Sequence, residues 1–494
     1  MTTELSWVRQ SNRLQKINMK STAKVLFLLS FFGAMLAHAQ ISSFQHVIVI
    51  VQENRTPDNL FQGLCTSPFG KSTSCSTRPT GSQYDIQTTN WLDNTSSTGT
   101  TKPIAVGLDN DYDPSHRHGA FTTSCDLNTT TGVCRMDGAA GDDCTGTCPT
   151  RPPYHYVTNS NSDLNPYLTM ATSYGWANYM FQTNQGPTFA SHQFLFGGTS
   201  APSADDDAIG TFAAENLNSA NAISGCIAVA GTTVKIITTT SETETLYPCF
   251  DHETMADLFD AIDVSWKFYT PSAGSIQTAP DAISHICVPS APTGGECTGT
   301  DWVNNVVLKP TQVLTDISSC KLAQVSWVNP GGKYSDHPNS NTGGGPAWVA
   351  SIVNAIGNNP KCKDNEVYWD NTVILITWDD WGGWYDHEPP TILAGAQGDY
   401  QYGFRVPFIV VSAYTPVQYV DNTRMDFGTI LRFLEHNYGI AEGALNFADA
   451  RSTTDLTEFF NLSQVPRVFQ TIPARLDANY FINDKTPLTD GDDY

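Results

Sequence analysis

VILITWDDWGGWYDHEPP, residues 373–390, carries an unbroken apolar and β-branched run into Asp379 and Asp380, then turns through Gly382 and Gly383 to Asp386 and His387. A short apolar run bounded by glycine reads as an interior strand of an α/β sheet. Such sheets place ligands and chemistry just beyond the carboxyl ends of their strands. Two neighbouring aspartates there repel each other unless a positive charge lies between or beside them. A bound metal ion answers that requirement, and a solvated acidic turn is the bland alternative.

The same pattern recurs in HVIVIVQENRTPDNLF, residues 46–61, where the apolar run ends at Val51 and presents Glu53 and Asn54 shortly after. Three carboxylates and an amide oxygen at two strand ends suit one oxygen-preferring divalent ion, magnesium, calcium or manganese, with zinc still open. Taken singly, Glu53 and Asn54 also fit a polar strand exit with an Asx-type turn into Pro57.

Residues 1–39 stand apart. Lys20 and Lys24 precede the apolar stretch 25–37, which ends at Ala37-His38-Ala39, the pattern of a Sec-type signal peptide with a small-residue cleavage site. Met19 is a plausible start, with residues 1–18 an upstream extension. No later run is long and apolar enough for a bilayer-spanning helix, so the expectation is a secreted or periplasmic protein without a stable membrane anchor. The chain has a formal net charge of −23. Removal of the basic leader brings it to about −27, a balance that argues against nucleic acid as a partner.

All twelve cysteines lie beyond the leader. In an oxidising compartment they read as disulfides, with local pairs such as Cys65 with Cys75, Cys125 with Cys134 and Cys226 with Cys249. Cys144 and Cys148 read as a disulfide in preference to half a metal site. The polar, cysteine-containing stretches at about 65–150 and 200–250 look like insertions into one domain, 40–494.

Between the insertions, core elements alternate. Strands are expected at 264–269, 325–328 and 406–414, and helices at 253–262, 347–356 and 428–439. Alternation of this kind implies an α/β fold, a mainly parallel central sheet flanked by helices with disulfide-stapled insertions. The tail after about residue 465 is proline-punctuated and wraps the surface or frays.

YMFQTNQGPTFASHQFLFGG, residues 179–198, sets Thr188 after Gly186-Pro187 at the start of a helix. Unpaired N–H groups there stabilise an alkoxide or a phosphate oxygen, although Thr is also an ordinary N-cap. His116 and His337 follow aspartates in turn-rich loops, DPSH and SDHP, where imidazole can serve phosphoryl oxygens or a leaving group. Trp378, Trp381, Trp384 and Tyr385 either line a site or pack the strand exit.

Together the segments HVIVIVQENRTPDNLF, DPSH, NQGPTF, VSWKFYTP, VSWVNPGGKYSDHP, ITWDDWGGWYDHEPP, YGFRVPFIVVSAY and ILRFLEHNYG resemble, in order, the bacterial phosphoesterases. That family includes phosphatidylcholine-type phospholipases C and acid phosphatases within the alkaline-phosphatase-like superfamily. The resemblance implies an alkaline-phosphatase-like α/β/α fold and a phosphate-ester substrate, phospholipid included, hydrolysed through a phosphothreonine. It implies Glu53, Asn54, Thr188, Asp379 and Asp380 around the metal, with Thr188 as the nucleophile. Asn54, His116 and His337 fall around the phosphoryl oxygens, and His387 matches a family motif at the substrate phosphate. His285 is a candidate for a further histidine. Many relatives read Asp-His-Thr-Ser where this chain has Asp426, Phe427, Gly428 and Thr429, which fits one metal better than two. Phosphomonoester hydrolysis and a catalytically inactive secreted binding protein are the alternative functions.

Overall fold

A computed structural model describes residues 43–490 except 220–222, 239–240, 340–341, 360–361, 363–365 and 394–400; the expected leader lies outside the described residues. The central sheet contains β1 (His46–Gln52), β2 (Gly175–Ala177), β3 (Trp266–Tyr269), β4 (Val306–Val307), β5 (Val325–Val328), β6 (Thr372–Trp378), β7 (Phe408–Ser412) and β8 (Tyr419–Asp421). Their order is β4-β3-β5-β1-β6-β7-β2-β8. Every neighbouring pair is parallel except the two that involve β7, which runs against β6 and β2.

Continuous Val and Ile runs form β1 and β6 because both faces of the sheet are covered. Trp327 pairs in register with Val49 and packs under Phe196 of one helix at a ring distance of 5.2 Å. Trp378 pairs with Gln52, on the opposite face, and meets Tyr167 of another helix at 5.1 Å. Those helices are α1 (Asn165–Ser173) and α2 (Thr188–Gly197); α3 (Gly345–Gly357) packs with α1, and α4 (Phe427–Tyr438) with α2. Residues Val47 to Val51 are at most 1% exposed, so each side chain contributes roughly 1.5–3 kcal/mol of apolar burial.

The expected helix at 253–262 is shorter, Met255–Asp260. Asp263 takes a left-handed φ of 58°, and Ile262 is exposed instead of joining the core. All twelve cysteines pair: 65–75, 125–134, 144–148, 226–249, 287–297 and 320–362. The 200–250 stretch folds as a small antiparallel sheet of Phe212–Leu217, Val234–Ile237 and Glu244–Leu246. The tail wraps the molecule, with Gly332 N–H donating to Thr489 O at 2.9 Å.

Candidate active site

The parallel pairing of β1 with β6 puts Gln52 beside Trp378, so both acid-tipped strands leave the sheet at one edge, side by side. Two backbone bonds extend the pairing past the strands: Asp379 N–H to Gln52 O at 3.0 Å and Arg55 N–H to Asp380 O at 3.1 Å. Glu53, Asn54, Asp379 and Asp380 are all fully buried there. Asn54 has a φ of 57°, a left-handed conformation that asparagine tolerates better than most residues.

Tandem glycine lets the β6 exit close over this edge. Gly382 and Gly383 have φ of 63° and 70°. A Cβ on Gly382 would stand 2.4 Å from Asn54 O, and one on Gly383 would stand 2.5 Å from Ser115 O, one residue before His116. Both clashes are with backbone, which has nowhere to retreat. Gly382→Ala is therefore expected to cost about 2–3 kcal/mol and to displace Asn54; chemical denaturation together with metal titration checks it.

Thr188 enters from the other side. It is the first residue of α2, whose N-cap is Pro187, so its hydroxyl does not serve as the cap and instead donates to Asp380 Oδ2 at 3.3 Å. Phe189 N–H is satisfied by Asn216 Oδ1 at 2.9 Å. One helical turn on, His192 Nε2 lies 3.6 Å from Glu53 Oε1 and 3.9 Å from Asp379 Oδ2. His192 is a site residue that the sequence reasoning missed. Its signal was the i, i+4 spacing from Thr188, which puts both on one face of a helix.

Asn54 links this cluster to the histidines. One end of its side-chain amide lies 2.8 Å from Asp379 Oδ1 and 3.2 Å from Glu53 Oε2, and the other end lies 3.3 Å from His116 Nε2 and 2.9 Å from His337 Nε2. His116 Nδ1 faces Pro114 O at 3.2 Å and His337 Nδ1 faces Pro338 O at 2.6 Å, which turns both Nε2 atoms toward Asn54. With its nitrogen toward the acids the Asn54 amide donates to Asp379 Oδ1 and Glu53 Oε2 while its oxygen faces both imidazoles, so one side chain bridges the carboxylates and the histidines. Buried carboxylates, an amide oxygen, a hydroxyl and one imidazole fit a hard divalent ion, and Glu53, His192 and Asp379 each offer a ligand atom within 4.8 Å of the others.

Arg55 braces the loops. Its fully buried guanidinium donates to Asp336 O, Leu108 O, Asn59 Oδ1 and Asn110 Oδ1, and lies over the Trp384 ring at 5.0 Å. Burial pulls its pKa down to about 10, against the opposing pull of Asp336. The aromatic cluster is packing: Trp378, Trp381, Trp384 and Tyr385 are at most 2% exposed. Tyr385 stacks on Trp91, and Trp381 wedges against Phe121, Phe404 and His116.

His387 does not join the Asn54 histidines. Its Nδ1 bonds Asp58 at 2.7 Å and its Nε2 faces Asp85 at 3.2 Å, in a buried network that Arg405 completes through Asp85 and Asp386. With both ring nitrogens taken by carboxylates, it is a structural ion pair and the expected phosphate contact is corrected. Burial opposes its charge, but Asp58 and Asp85 outweigh it and push the pKa up to about 10 from 6.5. Because the folded value is the higher, the stabilisation is complete below about pH 6.5 and is lost as pH rises toward 10. His387→Gln is expected to cost about 3 kcal/mol at neutral pH and much less near pH 10, measured by urea unfolding at both. His285 likewise lies elsewhere, bound by Asp251 at 2.7 Å and Asp257 at 3.0 Å at the surface.

A cavity of about 1160 Å³ opens beside His116 and Pro187. Its walls come from both cysteine-containing excursions and from the tail, through residues such as Asp143, Asn216, Lys235 and Thr489.

The family model described as the phosphoesterase family matches residues 44–441, so the chain belongs to that family. Non-hemolytic phospholipase C of Pseudomonas aeruginosa is 27% identical over 179 residues, covering 30% of this chain and 25% of that protein. Phospholipase C B of Mycobacterium tuberculosis is 25% identical over 177 residues, covering 32% of this chain and 33% of its own length. The chain thus spans between a quarter and a third of these two curated relatives. A solved protein of the alkaline phosphatase superfamily from Vibrio parahaemolyticus superposes with a TM-score of 0.33 at 10% identity, over 58% of this chain and 63% of that one. Among the described residues no helix is long and apolar enough to cross a membrane.

Proposed function

We propose that this chain is a metal-dependent phosphoric ester hydrolase, phospholipase C-like in the bond it breaks, with Thr188 as nucleophile. The observation that carries the reading is the Thr188 hydroxyl, 3.3 Å from Asp380 at the start of α2 and one turn before His192, against the Glu53, Asn54 and Asp379 cluster. A divalent cation bound there would neutralise phosphoryl charge and favour the alkoxide. Asp380 orients the hydroxyl, and the positive end of α2 favours the developing anion. Oxygen of Thr188 attacks phosphorus in line, the alcohol leaves, and water then releases phosphate or its monoester from the phosphothreonine.

His116 and His337 keep Nδ1 on backbone carbonyls and present Nε2 toward Asn54; in the protonated form they donate to the non-bridging oxygens. The relatives' names favour a phosphodiester with a head group, and the polar lining of the cavity favours a hydrophilic alcohol, which keeps phosphomonoesters as the second reading. Six disulfides favour an oxidising, extracytoplasmic compartment.

The test supplies the protein with magnesium, calcium, manganese or zinc and assays p-nitrophenyl phosphate and p-nitrophenylphosphorylcholine from acid to alkaline pH. Metal-dependent release of nitrophenol from either is expected. Hydrolysis of neither would return the chain to the inactive binding-protein reading.

A further inference from the structure

Pro187 is the N-cap of α2 and brings no side-chain oxygen, so the first N–H groups of that helix need an acceptor from elsewhere. Asn216 supplies one. From the strand Phe212–Leu217 of the second excursion, its Oδ1 accepts Phe189 N–H at 2.9 Å. The same strand lies tight against the turn before Thr188: a Cβ on Gly186 would stand 2.3 Å from Ala214 O.

The first excursion reaches the same turn. His118, buried at the start of the helix His118–Cys125, has its Nδ1 2.9 Å from Gln185 O, three residues before Thr188. A carbonyl oxygen only accepts, so Nδ1 donates. The second excursion holds the ring in its turn: His118 Nε2 faces Glu242 Oε1 at 3.3 Å, and the His118 backbone N–H donates to Glu215 Oε1 at 3.2 Å. Gln185 is also tied through its side chain, whose Nε2 donates to Tyr402 O at 3.2 Å. Gln185, Gly186 and Phe189 are thus each met from outside the turn, while the Thr188 hydroxyl is left to Asp380.

We infer that His118 and Asn216 are positioning residues that hold the backbone of 185–189, and through it the Thr188 hydroxyl, in its place beside Asp380. The inference rests on the reading of Thr188 as the nucleophile. Misplacing an attacking atom by about 1 Å costs on the order of 10²-fold in rate, so two bonds that do not touch phosphorus can govern kcat.

The test uses the metal-loaded protein and two pairs of variants. His118→Leu and Asn216→Leu remove the bonds; His118→Asn keeps an N–H donor near the place of Nδ1, and Asn216→Asp keeps an acceptor for Phe189 N–H. On p-nitrophenyl phosphate the leucine variants are expected to lose about 30-fold in kcat with KM within about threefold of the parent. The conservative variants should return to within about fivefold in kcat, Asn216→Asp with a raised KM because it adds negative charge where the phosphate approaches. Hydrogen–deuterium exchange, read without substrate on the peptide that holds 185–189, should quicken about tenfold in the leucine variants and stay close to the parent in the conservative pair. Where a leucine variant does not fold, His118→Ala and Asn216→Ala carry the same comparison. Parent-like kcat or parent-like exchange in the variants that lack the bonds overturns the positioning role, and so do conservative variants as slow as the leucine ones. A parent that hydrolyses no ester but shows the exchange contrast keeps the clamp on the turn and removes the hydrolase reading; turnover in the parent without the contrast removes the clamp alone.

Discussion

Thr188→Ala is expected to lower kcat for any accepted phosphate ester by about 10⁴-fold or more, because no other hydroxyl is proposed to attack phosphorus. The fold should tolerate the change. Alanine is an excellent helix residue at the start of α2, and the lost bond to Asp380 is one hydrogen bond, worth about 1 kcal/mol. Thr188→Ser keeps the oxygen at the same place and is expected to remain within about tenfold of the parent. Denaturing mass spectrometry after a brief exposure to substrate should find phosphate on the peptide containing residue 188 in the parent and none in the alanine variant. Near-full activity of Thr188→Ala would remove the nucleophile assignment and with it the two-step mechanism.

Asp379→Asn should separate charge from packing at the cluster. Asp379 Oδ1 stands 2.8 Å from the Asn54 side-chain amide and accepts the Asn54 backbone N–H at 3.3 Å. Asparagine keeps an acceptor for that N–H and removes one buried negative charge, so the chelated variant is expected to melt above the chelated parent. Added metal should reverse the order. The parent gains about 2.7 kcal/mol at a metal concentration one hundred times Kd, and the variant gains little. Activity should fall about 10³-fold in the same variant, since charge at the phosphoryl group is no longer offset. Thermal melts with and without chelator read both halves. If metal stabilises the variant as much as the parent, the cation is held somewhere other than beside Asp379.

The strand ends were legible because their signal is local: an apolar run that stops at paired acids needs no knowledge of the rest of the chain. The α/β alternation implied parallel strands, but that Glu53 and Asp379 stand side by side came from the family resemblance and is a matter of strand order and register. His192 was missed, although its spacing from Thr188 was in view, because a histidine amid Phe and Leu on a buried helix looks like core. His387 was misplaced for the opposite reason. Its motif is local, but the carboxylates that occupy it, Asp58 of a short helix and Asp85 of a loop, arrive from hundreds of residues away in sequence. The edge strands β4 and β8, and β2 beside the latter, hold two or three residues each, too few to show a period, and only the sheet around them defines them.

None of the six sulfur bridges joins a residue of a central-sheet strand; five close stretches within the excursions and connecting loops, and Cys320–Cys362 brackets β5 and α3. The acid-tipped strand ends are thus fastened by oil-like packing and the cavity walls partly by covalent stitches. A thiol reductant should loosen the mouth while the anvil beneath it stays set, blurring the choice among large esters before the smallest one ceases to turn over. The same division gives mutation a place to redraw substrate preference without disturbing the acids proposed to hold the cation.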